Sequence, residues 1–256
     1  MKKRLISTVS AAILAVTGVC NCAVIPFNAK AITSFDFQED YTRGEDDNWM
    51  WCRFEDHVAV IYYKGNRSTV AIPETIEGLP VTIVTDEVFR WNHDIIKKLS
   101  IPATVTDIGS SLSAVIGLSE VDIAEGNKNY IVENNAVYTA DKSQLLKCLT
   151  YTEGEFNIPD TVKVVKDSAF MYCYDITSIN IPSSVTEIGI NAMLGCNNLE
   201  SISVDEKNKE YSSADGVLFD INKEILYQYP VGNKRKSYSV PDSVTEIDTS
   251  AFQNSD

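Results

Sequence analysis

Histidine is almost missing from this sequence: His57 and His93 are the only two in 256 residues. That scarcity excludes multi-histidine metal centres and leaves little for general-base catalysis, which most often uses imidazole. Cysteine is sparse too. Of six, Cys20 and Cys22 fall in the N-terminal apolar stretch, and Cys52, Cys148, Cys173 and Cys196 follow it with no C-x-x-C pair. Zinc ribbons and thioredoxin-like redox motifs are thereby excluded, and four cysteines are too few for a disulfide scaffold. Basic residues run short, with 22 Lys and Arg against 36 Asp and Glu and a net charge of −14. A chain that acidic repels phosphate backbones, so no nucleic-acid partner is expected. The sequence also has no glycine-rich phosphate loop, nucleophile elbow or H-E-x-x-H motif, so no catalytic residue, cofactor or metal site is assigned. After the N-terminal stretch there is no further apolar run of about 18 residues, so no membrane span is expected in the mature chain.

What is present begins with an address. Met1-Lys2-Lys3-Arg4 is a basic start, Leu5 to Val19 is an apolar run, and Ala29-Lys30-Ala31 is a small-residue cleavage site. The pattern predicts a secretory signal peptide over residues 1–31, cleaved after Ala31, and hence a secreted or cell-surface protein. Cys20 and Cys22 are preceded by Val19 and Asn21, where a lipoprotein site wants a small residue, so lipidation is not expected.

The rest of the chain repeats itself. A branched residue followed by proline recurs at Ile72-Pro73, Ile101-Pro102, Ile158-Pro159, Ile181-Pro182 and Val240-Pro241. Ahead of it lies an L-x-x-I-x-I pattern, at Ile96/Leu99/Ile101, Leu118/Val121/Ile123, Ile176/Ile179/Ile181 and Leu199/Ile202/Val204. Behind the proline comes a Val and a second hydrophobic residue, then a small–large pair such as Ala169-Phe170, Ala192-Met193 or Ala251-Phe252. The basic spacing is about 23 residues. Longer units carry an insert: Asn127-Lys-Asn-Tyr130 matches Asn208-Lys-Glu-Tyr211 at an offset of 81, as Ala136-Val-Tyr138 matches Val217-Leu-Phe219. The inserts read as β-hairpins around polar turns at Asp141-Lys142 and Asn222-Lys223. A fixed period in this range predicts a solenoid. The alternating half of L-x-x-I-x-I puts its apolar side chains on one face. Only stacking coils at about 4.8 Å hides that face, and the proline after it ends the strand.

The segment from Ile181 to Leu199, IPSSVTEIGINAMLGCNNL, resembles the BspA-like (Treponema-type) leucine-rich repeat, and IPETIEGLPV from Ile72 to Val81 resembles the way such arrays open. The resemblance covers roughly residues 58–256. It departs from the pattern at Ser110 to Ser113, which has no Ala-Phe pair, and at Met193, which stands in for Phe. It implies a β-rich leucine-rich-repeat solenoid and a bacterial surface or secreted protein that binds other molecules. The expected domains are the signal peptide (1–31), an acidic lead-in and N-terminal β-hairpin cap (32–70), and the solenoid (71–256). The cap is read as a hairpin of 57–63 against 68–72 about the turn Lys64-Gly65-Asn66. The last coil stops where its next strand should start, so it is expected to be incomplete, loosely held and part of a longer or truncated product.

Several residue groups invite chemistry and are read as structural instead. His57 beside Asp56 and His93 beside Asp94 lack a nucleophile. Asp220 to Glu224 is faintly similar to a calcium loop but has Ile225 where the turn glycine belongs, so it is read as a hairpin turn. Cys173 and Cys196 share one repeat position with Asn92. They are expected as reduced, buried thiols, because stacked side chains point the same way. Trp49, Trp51, Trp91, Tyr172 and Tyr174 could stack on sugars, with packing as the default reading. The candidate ligand surface is the set of strand positions that must face out: Lys98, Ser100, Glu120, Asp122, Ser178, Asn180, Ser201 and Ser203. Stacking is expected to merge them into one open polar face for a protein or glycan ligand of a monomeric adhesion module. The alternative is a targeting or scaffold module of a larger extracellular enzyme or enzyme complex.

Overall fold

Along Ile176–Ile181, Ile176, Ile179 and Ile181 are buried while Thr177, Ser178 and Asn180 are not. That alternation, repeated coil after coil, builds the molecule. The structure is a computed structural model that describes residues 39–255. The signal peptide expected over 1–31 lies outside the described residues, as do positions 32–38 of the lead-in.

In chain order the strands are β1 (Thr42–Glu45), β2 (Trp49–Arg53), β3 (Val58–Tyr63), β4 (Thr69–Ala71), β5 (Thr75–Ile76), β6 (Leu79–Val84), β7 (Lys98–Ile101) and β8 (Glu120–Ile123). A first insert follows, β9 (Tyr130–Glu133), β10 (Ala136–Thr139) and β11 (Gln144–Cys148). The coils then resume with β12 (Gly154–Asn157), β13 (Val164–Val165), β14 (Ile176–Ile181), β15 (Glu187–Ile188) and β16 (Ser201–Val204). The second insert is β17 (Tyr211–Ala214), β18 (Val217–Asp220) and β19 (Ile225–Gln228), and β20 (Glu246–Ile247) closes the series.

The front of the solenoid is parallel. β4, β7 and β8 form one ladder and β12, β14 and β16 another. The back carries β11, β13 and β15 in parallel, and beyond them β19 and β20. The coils of β12 and β14 thus cross from a front strand, past a proline, to a two-residue back strand. Between the layers lies the core: Val70, Leu99 and Val121 face each other across one ladder, Phe156, Ile179 and Ile202 across the other, and all are buried. Burying one such side chain contributes roughly 1.5–3 kcal/mol relative to leaving it in water. The small–large pairs fill the returning side. Ala169, Phe170, Ala192 and Met193 are buried, and where the pair is missing a 3-10 turn at Ser111–Ala114 brings in Leu112 instead.

The N-terminal cap differs from the pairing the sequence suggests. Residues 57–63 and 68–72 do not pair with each other. β3 runs antiparallel to β2 and parallel to β6, whereas β4 pairs in parallel with β7 as the first front strand. The reason is burial. β3 is almost wholly inside the protein and needs a partner on both edges. Val70 and Ile72 repeat the inward alternation of Leu99 and Ile101 and join that column. The hairpin at this end is β2–β3, extended by β1. Part of the stretch read as a flexible acidic lead-in is therefore strand. Trp49 and Trp51 are buried in the cap and not free for sugars.

Both inserts are three-stranded meanders sewn in by the same side chains. Asn208 is buried; its Nδ2 donates to the carbonyls of Pro182 and Val185, both at 2.9 Å, and its Oδ1 accepts the N–H groups of Glu210 and Tyr211, both at 2.9 Å. Asn127 does the same with Pro102 (2.8 Å), Val105 (3.2 Å), Asn129 (2.8 Å) and Tyr130 (3.1 Å). The tyrosine three residues on reaches the previous coil, where Tyr130 Oη accepts Ile108 N–H at 3.0 Å and Tyr211 Oη accepts Ile188 N–H at 2.9 Å. These back-strand amides have no ladder partner, so the phenol satisfies a donor that would be costly to bury unpaired. The first turn of each meander, Asn134-Asn135 and Asp215-Gly216, has positive φ at both central residues, the combination that matches strand twist in two-residue hairpins. The second turns fall at Asp141-Lys142 and Asn222-Lys223, as the sequence implies, with β10 antiparallel to β11 and β18 to β19.

Candidate functional site

The outward strand positions fall into register. Lys98 lies opposite Glu120 and Ser100 opposite Asp122 on the first ladder; Ser178 lies opposite Ser201 and Asn180 opposite Ser203 on the second. They do not form one continuous surface. Among the described residues no ladder joins β8 to β12, because the first insert interrupts the front there. The single polar face expected from the repeat is two faces.

The two faces differ in chemistry. On the first, Lys98 Nζ contacts Glu120 Oε1 (2.5 Å) and Asp122 Oδ2 (2.8 Å). Hydrogen bonds to Asp122 and Glu120 hold the ammonium above its ordinary pKa. Three of the four candidate groups there are spent on each other. On the second face, Asn180 Nδ2 donates to Asn157 Oδ1 and Glu155 Oε1, both at 2.8 Å. This leaves the Asn180 carbonyl oxygen and the Asn157 amide directed away from that bond. The hydroxyls of Ser178, Ser201 and Ser203 make no hydrogen bond among the described residues. Stacked amides and free hydroxyls offer both donors and acceptors at strand spacing.

A trough on this second face is lined by Asn157, Asn180 and Ser203, by Pro159 and Pro182, and by Glu133 and Asn134 of the first insert. The second insert presses on β16: the Gly216 carbonyl accepts Ile202 N–H at 2.8 Å, and a Cβ on Gly216 would stand 3.1 Å from Ser201 Cβ. Asn157, Glu133 and Asn134 were not among the sequence candidates. Asn157 could have been found, since Phe156 and Ile158-Pro159 carry the alternation and the proline even though the opening leucine of the pattern is absent.

The groups read as structural are placed as follows. His57 Nδ1 lies 2.7 Å from Asp56 Oδ1, with its ring stacked on Phe54 at 4.4 Å, and His93 Nδ1 lies 2.9 Å from the Arg90 carbonyl. Asp220 Oδ1 accepts the N–H groups of Glu224 and Ile225, both at 2.7 Å, so the carboxylate holds its own turn. No group of three or more His, Cys, Asp or Glu side chains among the described residues is arranged to hold a metal ion. Cys52, Cys148, Cys173 and Cys196 are all unpaired and buried. Cys196 Sγ donates to the Phe170 carbonyl at 3.1 Å, and burial pushes its thiol up to about 12. Contact with Cys148, together with burial, raises Cys173 further still. One neighbour has no counterpart in the sequence reading: Lys147 is fully buried, its Nζ 3.2 Å from the Ser168 carbonyl, and burial lowers its pKa. Trp91 and Tyr174 are exposed, and Tyr172 packs 5.8 Å from Tyr174.

The chain matches the profile of the BspA type leucine rich repeat region in six copies, over residues 82–214 and 141–256. The chain belongs to the BspA-type leucine-rich repeat family. Several solved bacterial proteins are similar to it. The pneumococcal vaccine antigen PcpA is 17% identical, with a TM-score of 0.50 over 85% of this chain and 63% of that one. A leucine-rich cell-surface protein of Faecalibacterium prausnitzii is 21% identical, with a TM-score of 0.46 over 84% of this chain and 69% of that one. A leucine-rich repeat protein of Eubacterium ventriosum is 21% identical, with a TM-score of 0.45 over 73% of this chain and 64% of that one. No curated protein matches. Among the described residues of this BspA-type chain, no helix is long and apolar enough to cross a membrane.

Proposed function

We propose that this BspA-type chain is a non-catalytic binding module, exported through the 1–31 signal peptide to the bacterial surface, where it takes part in adhesion. Its ligand, a protein strand or an uncharged glycan, lies along the second front ladder. The observation that carries this reading is the set of hydroxyls and amides at Ser178, Ser201, Ser203, Asn157 and Asn180, in register, with the three serine hydroxyls making no hydrogen bond among the described residues. Groups held at fixed spacing on stacked strands lose little freedom on binding, which favours recognition by a shallow polar surface. An uncharged ligand avoids the repulsion that a chain of net charge −14 exerts on polyanions.

The experiment is a glycan and protein array probed with the exported chain, followed by Asn180→Arg and by Lys142→Glu with Lys223→Glu on whatever binds. Loss in the first variant with retention in the hairpin-turn variant is expected. The reverse ranking would move the site to the inserts.

A further inference from the structure

Among the described residues three aromatic side chains are well exposed: Trp91, Tyr151 and Tyr174. The two tyrosines stand just ahead of the second front ladder. Tyr151, 68% exposed, lies three residues before β12, and Tyr174, 41% exposed, lies two residues before β14. They occupy facing segments of consecutive coils. Cys173 Sγ donates to the carbonyls of Cys148 (3.6 Å) and Leu149 (3.8 Å), and Gly154 N–H donates to the Asp175 carbonyl at 2.9 Å. Those contacts bracket both tyrosines, which places the two rings on neighbouring turns of one edge, where the coil pitch is about 4.8 Å. A third ring joins them. Tyr172 packs on Tyr174 with centroids 5.8 Å apart at 37°, its N–H donates to the Leu194 carbonyl at 2.9 Å, and any side chain on Gly195 would collide with its ring. Tyr172 is thus laid against the coil that leads into β16. The edge carries an aromatic row over the same three coils that supply β12, β14 and β16.

Packing does not ask for rings here. The residue matching Tyr151 at the offset of 81 is Gly232, and those matching Tyr174 one coil on and one super-repeat back are Asn197 and His93. The repeat closes at these positions with a glycine, an amide or an imidazole. The first ladder has no such row: β7 is led in by Asp94-Ile95-Ile96-Lys97 and β8 by Ile116-Gly117-Leu118-Ser119. Trp91 is exposed on that side, but the Arg90 guanidinium lies over its ring, 5.8 Å from the centroid, and takes one face. Around the tyrosines the exposed polar residues are Glu153, Asp175, Asn197 and Asn198, and neither 149–155 nor 172–178 contains a Lys or Arg.

We propose that the tyrosine row is a stacking platform for the sugar rings of an uncharged, extended, equatorially linked glycan, whose hydroxyls meet the polar groups of the second front face. The proposal rests on the front-face reading above and narrows its ligand to a carbohydrate. The axial C–H bonds of a pyranose make an apolar face with slight positive charge, which suits the negative face of an aromatic ring. The equatorial hydroxyls of the same sugar need donors and acceptors at the margin of that ring. The carboxylates of Glu153 and Asp175 and the amides of Asn197 and Asn198 supply them on this edge, and Ser178 and Ser201 on the strands it leads into. The coil pitch is also close to the length of one sugar in such a chain, so successive rings can follow successive coils. A sulfated or uronic chain is repelled by the carboxylates and by the net charge of −14. A peptide adding as a strand needs a free sheet edge, and β14, at the centre of the face, is paired on both sides.

The test titrates cellohexaose and hexa-N-acetyl-chitohexaose, both uncharged and equatorially linked, into the full chain and follows the tyrosine ring resonances. Saturable shifts at Tyr151 and Tyr174 with at least one of the two are expected. Tyr151→Ala and Tyr174→Ala should each weaken that binding about tenfold, while Tyr151→Phe and Tyr174→Phe stay within about threefold because the ring remains. Should Tyr174→Ala fold poorly for want of its contact with Tyr172, Tyr151→Ala decides alone. No binding of either saccharide, unaffected alanine variants, or phenylalanine variants as weak as the alanine ones would overturn the platform. Asn180→Arg separates the platform from the front face. Binding of an array-derived peptide that falls with Asn180→Arg but not with the alanine variants would overturn the platform and leave the front-face reading standing. Saccharide binding that falls with the alanine variants but not with Asn180→Arg would keep the platform and remove the front-face reading.

Discussion

Across the first front ladder, Lys98 answers Glu120 and Asp122. Across the second, Asn180 answers Asn157 and Glu155, and the serines beside it answer nothing. The strands beneath are interchangeable, with the same parallel register and the same buried branched residues. The same division runs through the inserts. Asn127 and Asn208, and Tyr130 and Tyr211, repeat their hydrogen bonds almost bond for bond, while Phe219 stands at the position of Tyr138 and Gln228 at that of Lys147. Residues that satisfy buried backbone recur at the offset, because every coil presents the same orphaned groups. Residues that look outward, or fill slack inside, are free to differ, and function is written in those differences.

The comparison can be broken most forcibly at the shared asparagines. Asn208→Ala strands two carbonyls and two N–H groups in a buried site and should cost about 4 kcal/mol; Asn127→Ala, where water has better access, should cost about 2 kcal/mol. Urea melts of both variants check the order. An equal or reversed ranking would mean that the two inserts are not held in the same way. Tyr138 sharpens the contrast from the other side. Its hydroxyl is buried with no hydrogen-bond partner among the described residues. Adopting the residue of the second repeat, Tyr138→Phe should stabilise the chain by about 1 kcal/mol in the same melts.

Acid should act through the first insert's turn. Asp141 accepts hydrogen bonds from Thr139 Oγ1 (2.7 Å), Ser143 N–H (3.0 Å) and Ser143 Oγ (2.8 Å), and these hold its carboxyl down at about 2. A carboxylate whose folded pKa lies below its unfolded value of about 3.9 stabilises the fold above that pH and loses its contribution as pH falls toward the folded value. Thermal melts between about pH 4 and pH 2 should therefore decline less steeply for Asp141→Asn than for the parent chain. The smallest effect is expected at Lys98. Its raised pKa makes any contribution present below about pH 10 and lost as pH rises through the folded value, but the triad is solvent-exposed and screened. Lys98→Met should leave the melting temperature almost unchanged at physiological salt.

Much of this frame was readable in the chain. The recurring Ile-Pro, the inward alternation and the insert offset all come from periodic burial, and burial period is what a sequence records best. The thiols at Cys173 and Cys196 were legible for the same reason. The pairing of the cap was not, since Thr69–Ala71 carries an alternation that fits a hairpin and a front strand equally well, and only the column of Leu99 decides between them. Lys147 was invisible because its neighbours Leu146 and Cys148 suggest a strand with one face in water, whereas β11 has the stack on both sides. The division of the polar face was hidden by the insert, whose effect on stacking depends on where its strands return and not on its composition.

The central claim is that recognition belongs to the second front ladder and not the first. It is tested most directly by titrating an array-derived ligand against two paired variants, Ser178→Arg with Ser203→Arg, and Ser100→Arg with Asp122→Arg. All four positions face outward, so both variants should fold with melting temperatures near that of the parent. The account predicts that the first pair abolishes binding and the second leaves it within about threefold, well under the 1.4 kcal/mol of a tenfold change. Loss of binding in the second pair with retention in the first would contradict it.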